Sequence, residues 1–187
     1  LSYLSHDNPV TSVAISPQAD RVASGDSQGA ILIWDPGTYP GTQVGALEHG
    51  SMVVEMRYLD DARLLSASRD GTAKIWNLDT GAEDKRFTHR SPILDMAYSP
   101  ETGRLATAAE DGQVLIWDID SGEEVARFSF VEEGQDAPYV YSAAFDAQGQ
   151  RIAAGSSDGS VRVWNIETRE LLRAMRHTDE VVSVAFH

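Results

Sequence analysis

The 187-residue chain has no cysteine, only two lysines (Lys74 and Lys85) and no segment with the apolar period of a helix. Without cysteine there is no disulfide, no thiolate metal site and no cysteine nucleophile. That absence fits a reducing compartment, and a cytoplasmic location is the expectation. Cations are scarce altogether: 15 Lys and Arg stand against 29 Asp and Glu, a formal net charge of −14. Such a surface repels phosphate backbones and anionic headgroups, which argues against nucleic acid and membranes as partners. No apolar run approaches the ~18–20 residues of a membrane-spanning helix, and no basic-then-apolar leader opens the chain. With no helix to open, no glycine-rich loop presents phosphate to a helix N-terminus. Hydrophobic residues nevertheless make up 42% of the chain, which is a globular composition rather than a disordered one.

What is present is a repeat. Trp34, Trp76, Trp117 and Trp164 recur at spacings of 42, 41 and 47, each five residues after a glycine (Gly29, Gly71, Gly112 or Gly159). A period of roughly 40–45 residues marks one supersecondary unit copied several times, each copy unable to bury its own apolar faces. Ahead of each glycine lies an apolar triplet at i, i+3 and i+5: Val10, Val13, Ile15; Val53, Met56, Tyr58; Ile93, Met96, Tyr98; Val140, Ala143, Phe145. A fifth triplet, Val181, Val184, Phe186, follows the last tryptophan. Each triplet reads as a strand buried on both sides. An arginine then leads a second strand (Arg21, Arg63, Arg104, Arg151), and a turn with Gln28-Gly29, Asp70-Gly71, Asp111-Gly112 or Asp158-Gly159 reverses the chain. Asp-Gly is a strong hairpin signal because glycine accepts positive φ. The third strand carries the tryptophan, and a weaker outer strand completes the unit. The chain is predicted to be all-β.

These residues resemble the WD-repeat β-propeller family, whose blades are four-stranded sheets with an early histidine and a late Trp-Asp pair. The resemblance implies four blades at residues 6–48, 49–88, 89–130 and 131–176. Residues 1–5 are expected to be the outer strand of a preceding blade, and residues 177–187 to carry the inner strand of a following one. The chain then reads as part of a larger, about seven-bladed propeller, with the missing blades supplied by the rest of a parent chain or by another subunit. The histidines His6, His49, His89 and His177 stand four residues before their triplets; in the fourth copy Asp136 holds that place, after a longer approach over residues 130–139.

The resemblance further implies hydrogen-bonded tetrads: His49, Ser66, Asp70 and Trp76 in the second copy, and His89, Thr107, Asp111 and Trp117 in the third. Partial tetrads are expected from His6, Ser24 and Trp34, where Gln28 replaces the acid, and from Asp158 and Trp164, where Ala154 replaces the hydroxyl. Those two blades are expected to rely more on packing. A Ser-His-Asp grouping also suits nucleophilic catalysis, but one triad per repeat is the mark of a structural network, so no catalytic residue, cofactor or metal is expected. Asp118 and Asp120 begin like a calcium loop, yet Glu123 stands where such a loop needs glycine and Ser129 where it needs glutamate.

The family implies a platform for a protein or peptide partner, or a regulatory propeller attached to a larger kinase, protease or nucleotide-dependent switch. Loops on a rigid scaffold carry binding, and the loop face is expected to hold Asp26, Arg69, Arg90, Glu110, Asp136 and Tyr139. Arg69 and Arg90 would suit a carboxylate or phosphorylated side chain; the alternative is a pair of solvated arginines beside Glu110.

Overall fold

A computed structural model describes residues 5–38 and 41–187; the stretch expected to be a preceding outer strand lies almost wholly outside them. Among the described residues sixteen strands form four antiparallel sheets, each running from inner to outer strand in chain order. The first blade is β1 (Val10–Ile15), β2 (Val22–Asp26), β3 (Ala30–Asp35) and β4 (Thr42–Glu48). The second is β5 (Val53–Tyr58), β6 (Arg63–Ser68), β7 (Thr72–Asn77) and β8 (Ala82–Thr88). The third is β9 (Ile93–Ser99), β10 (Arg104–Ala109), β11 (Gln113–Asp118) and β12 (Glu124–Ser129). The fourth is β13 (Val140–Phe145), β14 (Arg151–Ser156), β15 (Ser160–Asn165) and β16 (Leu171–Arg176). Among the described residues no helix is long and apolar enough to cross a membrane.

The 3-then-2 spacing of the apolar triplets has a simple cause. Val53, Met56 and Tyr58 stand opposite Ser68, Ser66 and Leu64, which lie two apart on β6 and so share a face. Val54 is the extra residue of a β-bulge between Val53 and Glu55. The same irregularity falls at Thr11, Leu94 and Tyr141 in the other three inner strands. A second irregularity recurs at every tryptophan, where the register between third and outer strands shifts.

The chain divides into two compact units, residues 1–88 and 89–187, each holding two blades. In the first, Ala23, Ile31, Ile33 and Leu47 of one blade meet Val53, Met56, Tyr58, Leu64 and Trp76 of the next. In the second, Ala106, Val114, Ile116, Phe128 and Phe130 meet Val140, Ala143, Ile152, Ala154 and Trp164. Each seam also carries a cation. Lys74, nearly fully buried, donates to the Glu48 carbonyl that ends β4 (3.1 Å), pairs with Glu83 (3.4 Å) and lies 4.7 Å over the Trp76 ring. Arg162, at the same place in β15, donates to the Ser129 carbonyl that ends β12 (3.0 Å) and lies 4.8 Å over Phe130. One of the chain's two lysines is thus a clip between blades.

Residues 181–186 do not join a ladder. Their Val181 and Val184 amides go instead to Ser156 O (3.0 Å) and Ser142 Oγ (3.2 Å) of the fourth blade. Val181 presses on Gly155 as Val53 presses on Gly25: a Cβ on either glycine would lie 2.5 or 2.7 Å from the valine Cγ1. The stretch therefore docks like an inner strand but carries no strand pairing, while Val182 on its far side is 69% exposed.

Candidate interaction site

Beneath the loops lie the polar locks. In the second blade Trp76 Nε1 donates to Ser66 Oγ (2.8 Å), His49 Nε2 is 2.8 Å from the same oxygen, and His49 Nδ1 is 3.0 Å from Asp70 Oδ2. Indole can only donate. One arrangement then uses every proton: Ser66 donates to Nε2 and the Nδ1–H of a neutral imidazole donates to Asp70. Asp70 also accepts from the amides of Gly50 and Thr72 (both 2.8 Å) and from Thr72 Oγ1 (2.6 Å). In the third blade Trp117 Nε1 donates to Thr107 Oγ1 (3.1 Å), which bonds His89 Nδ1 (3.0 Å), and Nε2 faces Asp111 Oδ1 (3.2 Å).

This geometry defeats nucleophilic catalysis. Ser66 and Thr107 are both 0% exposed, and the indole N–H occupies the hydroxyl oxygen that would have to attack. The locks hold strands together and give a substrate no approach.

The first blade is closed, contrary to the expectation from Gln28. Asp26 supplies the acid from two residues upstream: His6 Nδ1 lies 3.3 Å from its Oδ2, His6 Nε2 2.6 Å from Ser24 Oγ, and Trp34 Nε1 donates to Ser24 Oγ (2.7 Å). Asp26 also accepts from the amides of Gln28 and Ala30 and from Asn8 Nδ2. Burial alone would raise its pKa, but these hydrogen bonds hold the carboxyl below its ordinary value. Asp26 is 1% exposed and belongs to the lock rather than to a binding face.

The fourth blade is apolar where the others are polar. Asp136 does not stand in for histidine; it is exposed. Phe130 takes that position instead. Its amide donates to Gly112 O (2.8 Å) as the His49 amide does to Gly29 O (2.9 Å). Its ring meets Trp164 edge-on at 5.4 Å and 78°, as His49 meets Trp76 at 5.8 Å and 87°. Ala154 faces this pair inside the same core, and Phe128 stacks on Trp164 at 5.1 Å. Asp158 turns to its own hairpin, accepting from Ser156 Oγ and Ser160 Oγ.

Phe130 also opens the longest connection of the chain between blades. Four positions separate His49 from Val53, whereas ten separate Phe130 from Val140, so six residues are inserted. The loop is fastened at both ends. Pro138 and Val131 close over Gly112, where a Cβ would lie 3.1 Å from Pro138 O and Val131 Cγ2. At the far end the Tyr139 amide donates to Ser157 Oγ and Tyr139 O accepts from the Ser157 amide, both at 2.9 Å. Arg162 holds the middle through Glu132 (2.9 Å). Between these fastenings Val131 is 43% and Tyr139 46% exposed, and the Tyr139 and Tyr141 rings meet edge-on at 6.2 Å.

The family model described as WD domain, G-beta repeat matches residues 1–35, 41–77, 82–118 and 126–165, which is most of the chain. The chain belongs to the WD-repeat family. Among its relatives, mouse apoptotic protease-activating factor 1 is 33% identical over 101 residues, covering 54% of this chain and 8% of the relative. A ribosome biogenesis protein WDR12 homolog of Anopheles gambiae is 26% identical over 117 residues, covering 52% and 27%. Small ribosomal subunit protein RACK1 of Medicago sativa is 32% identical over 75 residues, covering 40% and 22%. The chain thus spans about a quarter or less of the length of these relatives.

In this WD-repeat chain His6, His49 and His89 are thus held in hydrogen-bond networks, whereas His177 is exposed. Arg69 and Arg90 lie in different units and each is exposed. Glu110 is half-buried, and its amide donates to Pro92 O (3.1 Å). Tyr139 is legible in the sequence as a candidate; Tyr141 is the bulge residue of β13 and carries no local sequence signal, although a β-bulge is a place where a side chain is re-aimed. The Tyr141 hydroxyl is pushed up by desolvation and then by the charges of Glu180, Tyr139 and Glu110. The turn at Asp118 is an ordinary one: its carboxylate accepts from the amides of Asp120 (3.1 Å) and Ser121 (2.7 Å).

The locks make stability pH-dependent. Burial lowers the pKa of His49 and His89 despite the opposing pull of Asp70 and Asp111. The unfolded chain therefore takes up protons first as pH falls through about 6.5, and folded stability declines from there. A second decline belongs to Asp70. Burial would raise its pKa, but hydrogen bonds from Thr72, Gly50 and His49 hold it at about 2, so stability is lost as pH falls from 3.8 towards 2. Acidification also relieves the self-repulsion of a −14 chain, an opposing effect common to any variant. Urea midpoints between pH 8 and 5 should thus fall more steeply for the wild type than for His49→Gln/His89→Gln. Parallel profiles would show that the imidazoles are not buried in the neutral form.

Proposed function

We propose that this WD-repeat chain is a non-catalytic interaction module, acting in the cytoplasm, that holds a peptide or protein segment on its loop face. The carrying observation is the 130–139 loop: it is fastened to Gly112 and Ser157, yet presents Val131, Tyr139 and the acids around them to solvent. A rigid, exposed, partly apolar loop costs little entropy to order on binding, which favours recognition. The named relatives include ribosomal and ribosome-biogenesis proteins.

Removing residues 131–136 restores the four-residue spacing between Phe130 and Val140 seen from His49 to Val53, so the shortened chain keeps its repeat. Affinity capture from the source cell, read by quantitative mass spectrometry, should lose partners when this deletion is combined with Tyr139→Ser. A control substitution on the outer strand β8, Arg86→Gln, should keep them. Identical partner sets from both would refute a loop-face site. A second reading is favoured by the match to 8% of a relative named as protease-activating: the module would regulate an enzyme carried by the same parent chain. The same deletion would then alter that enzyme's activity as well as capture.

A further inference from the structure

Within the second unit the 130–139 loop exposes Tyr139 and Val131, and their surround is anionic. Tyr139 and Tyr141 meet edge-on at 6.2 Å, and Tyr139 exposes nearly half its surface although its backbone is tied at both N–H and C=O to Ser157. Glu180 and Glu110 are the carboxylates whose charge bears on Tyr141. Glu133 and Asp136 stand exposed on the same loop. The one cation of β15 that reaches this loop, Arg162, is withdrawn: its side chain is 16% exposed, lies over Phe130 and is bonded to Ser129 O and Glu132. The 130–139 loop itself carries no lysine or arginine.

We propose that the Tyr139–Tyr141 pair is a platform for an arginine side chain of a basic peptide, with Glu180 flanking the guanidinium. The ring faces carry negative charge and attract a cation, arginine more often than lysine because its planar head also stacks. Carboxylates beside the rings add Coulombic attraction and accept the N–H groups that stacking leaves free. An acidic or phosphorylated segment would meet like charge at Glu180, Glu133 and Asp136, and a wholly apolar one would forgo the attraction of the ring faces for a cation. The platform belongs to the fourth blade alone, because the places of Tyr139 and Tyr141 are taken by Pro9 and Thr11, Met52 and Val54, and Pro92 and Leu94 in the other three. This inference rests on the loop-face reading above and names the chemistry of its guest.

The probe is a short synthetic peptide with two arginines between glycines, compared with versions carrying citrulline or glutamate instead, titrated by calorimetry or fluorescence anisotropy. The arginine peptide should bind, weaken with added salt, and lose roughly fivefold or more in affinity with each of Tyr139→Leu, Tyr141→Leu and Glu180→Gln. Glu123→Gln, on the β11–β12 turn, should leave binding unchanged. Equal binding of the citrulline peptide, equal binding to the three variants, or no binding of the arginine peptide would each overturn the proposal. If partner capture still depends on the loop while the arginine peptide fails, the loop-face reading survives and only the basic guest is wrong.

Discussion

Phe130→Ala is expected to destabilise the second unit by about 3–5 kcal/mol, the usual range for emptying a buried phenylalanine site. Phe130 is 1% exposed and touches three things at once: the edge of Trp164, the Arg162 guanidinium and the Gly112 carbonyl through its amide. Hydrogen exchange should show the loss in peptides from residues 89–187 rather than 1–88. Phe130→His is the sharper test. It restores the residue type of the other locks but sets a buried imidazole against Ala154, stranding polar atoms at a cost of about 1–3 kcal/mol. Ala154→Ser alone gives Trp164 Nε1 an oxygen to donate to but leaves the hydroxyl proton without an acceptor at a fully buried position. Together they rebuild the hydroxyl–imidazole pair beside Trp164, so the double variant should be more stable than the sum of the single losses predicts, by about 1 kcal/mol. Strict additivity would mean that Phe130 does not occupy the histidine position.

That substitution explains why the fourth lock was hard to read. Counting back from Val140 crosses the insertion and lands on Asp136, whereas counting forward from the outer strand does not. Leu47 and His49, Phe87 and His89, and Phe128 and Phe130 all stand two apart. Insertions fall in loops because loops tolerate them, so a register carried from the strand before the loop survives where one carried across it fails. The first lock misled for a different reason. Column alignment put Gln28 in the acid's place, but the physical requirement is a carboxylate that reaches both the histidine and the turn amides. Asp26 meets it from the end of β2.

The four sheets were legible because three local signals agree in every copy: the triplet, the glycine turn and the tryptophan strand. Even the odd triplet spacing follows once each inner strand is seen to carry a bulge. The clips were not legible. Lys74 and Arg162 act on the last carbonyl of the preceding blade, and nothing in a strand's own pattern says which neighbour its polar residue will meet. The same holds for Tyr141, whose significance depends on meeting the Tyr139 ring across the bulged start of β13.

Gly29→Ala should be the other severe change, and its effect should reach a lock 20 residues away. Gly29 has φ +104, a value that disfavours a side chain, and an added Cβ would lie 2.3 Å from His49 O and 2.8 Å from Ser51 O. Neither contact is the tip of a flexible side chain that could swing aside; both are backbone. The strained conformation and the overpacking together should cost roughly 2–5 kcal/mol. The clash also pushes away the residue whose amide Gly29 O accepts, at 2.9 Å. His49 would then no longer sit 3.0 Å from Asp70 and 2.8 Å from Ser66. Asp70→Ala breaks that lock from its other end, stranding the buried imidazole and the half-buried Thr72 amide at a cost of about 1–3 kcal/mol. Because both changes disable one network, their combination should fall short of the sum by about 1 kcal/mol in urea unfolding of the first unit. Additive losses would show that the turn of one blade and the lock of the next are independent. Sub-additive losses would mean that each WD repeat builds its polar lock on the turn of the repeat before it.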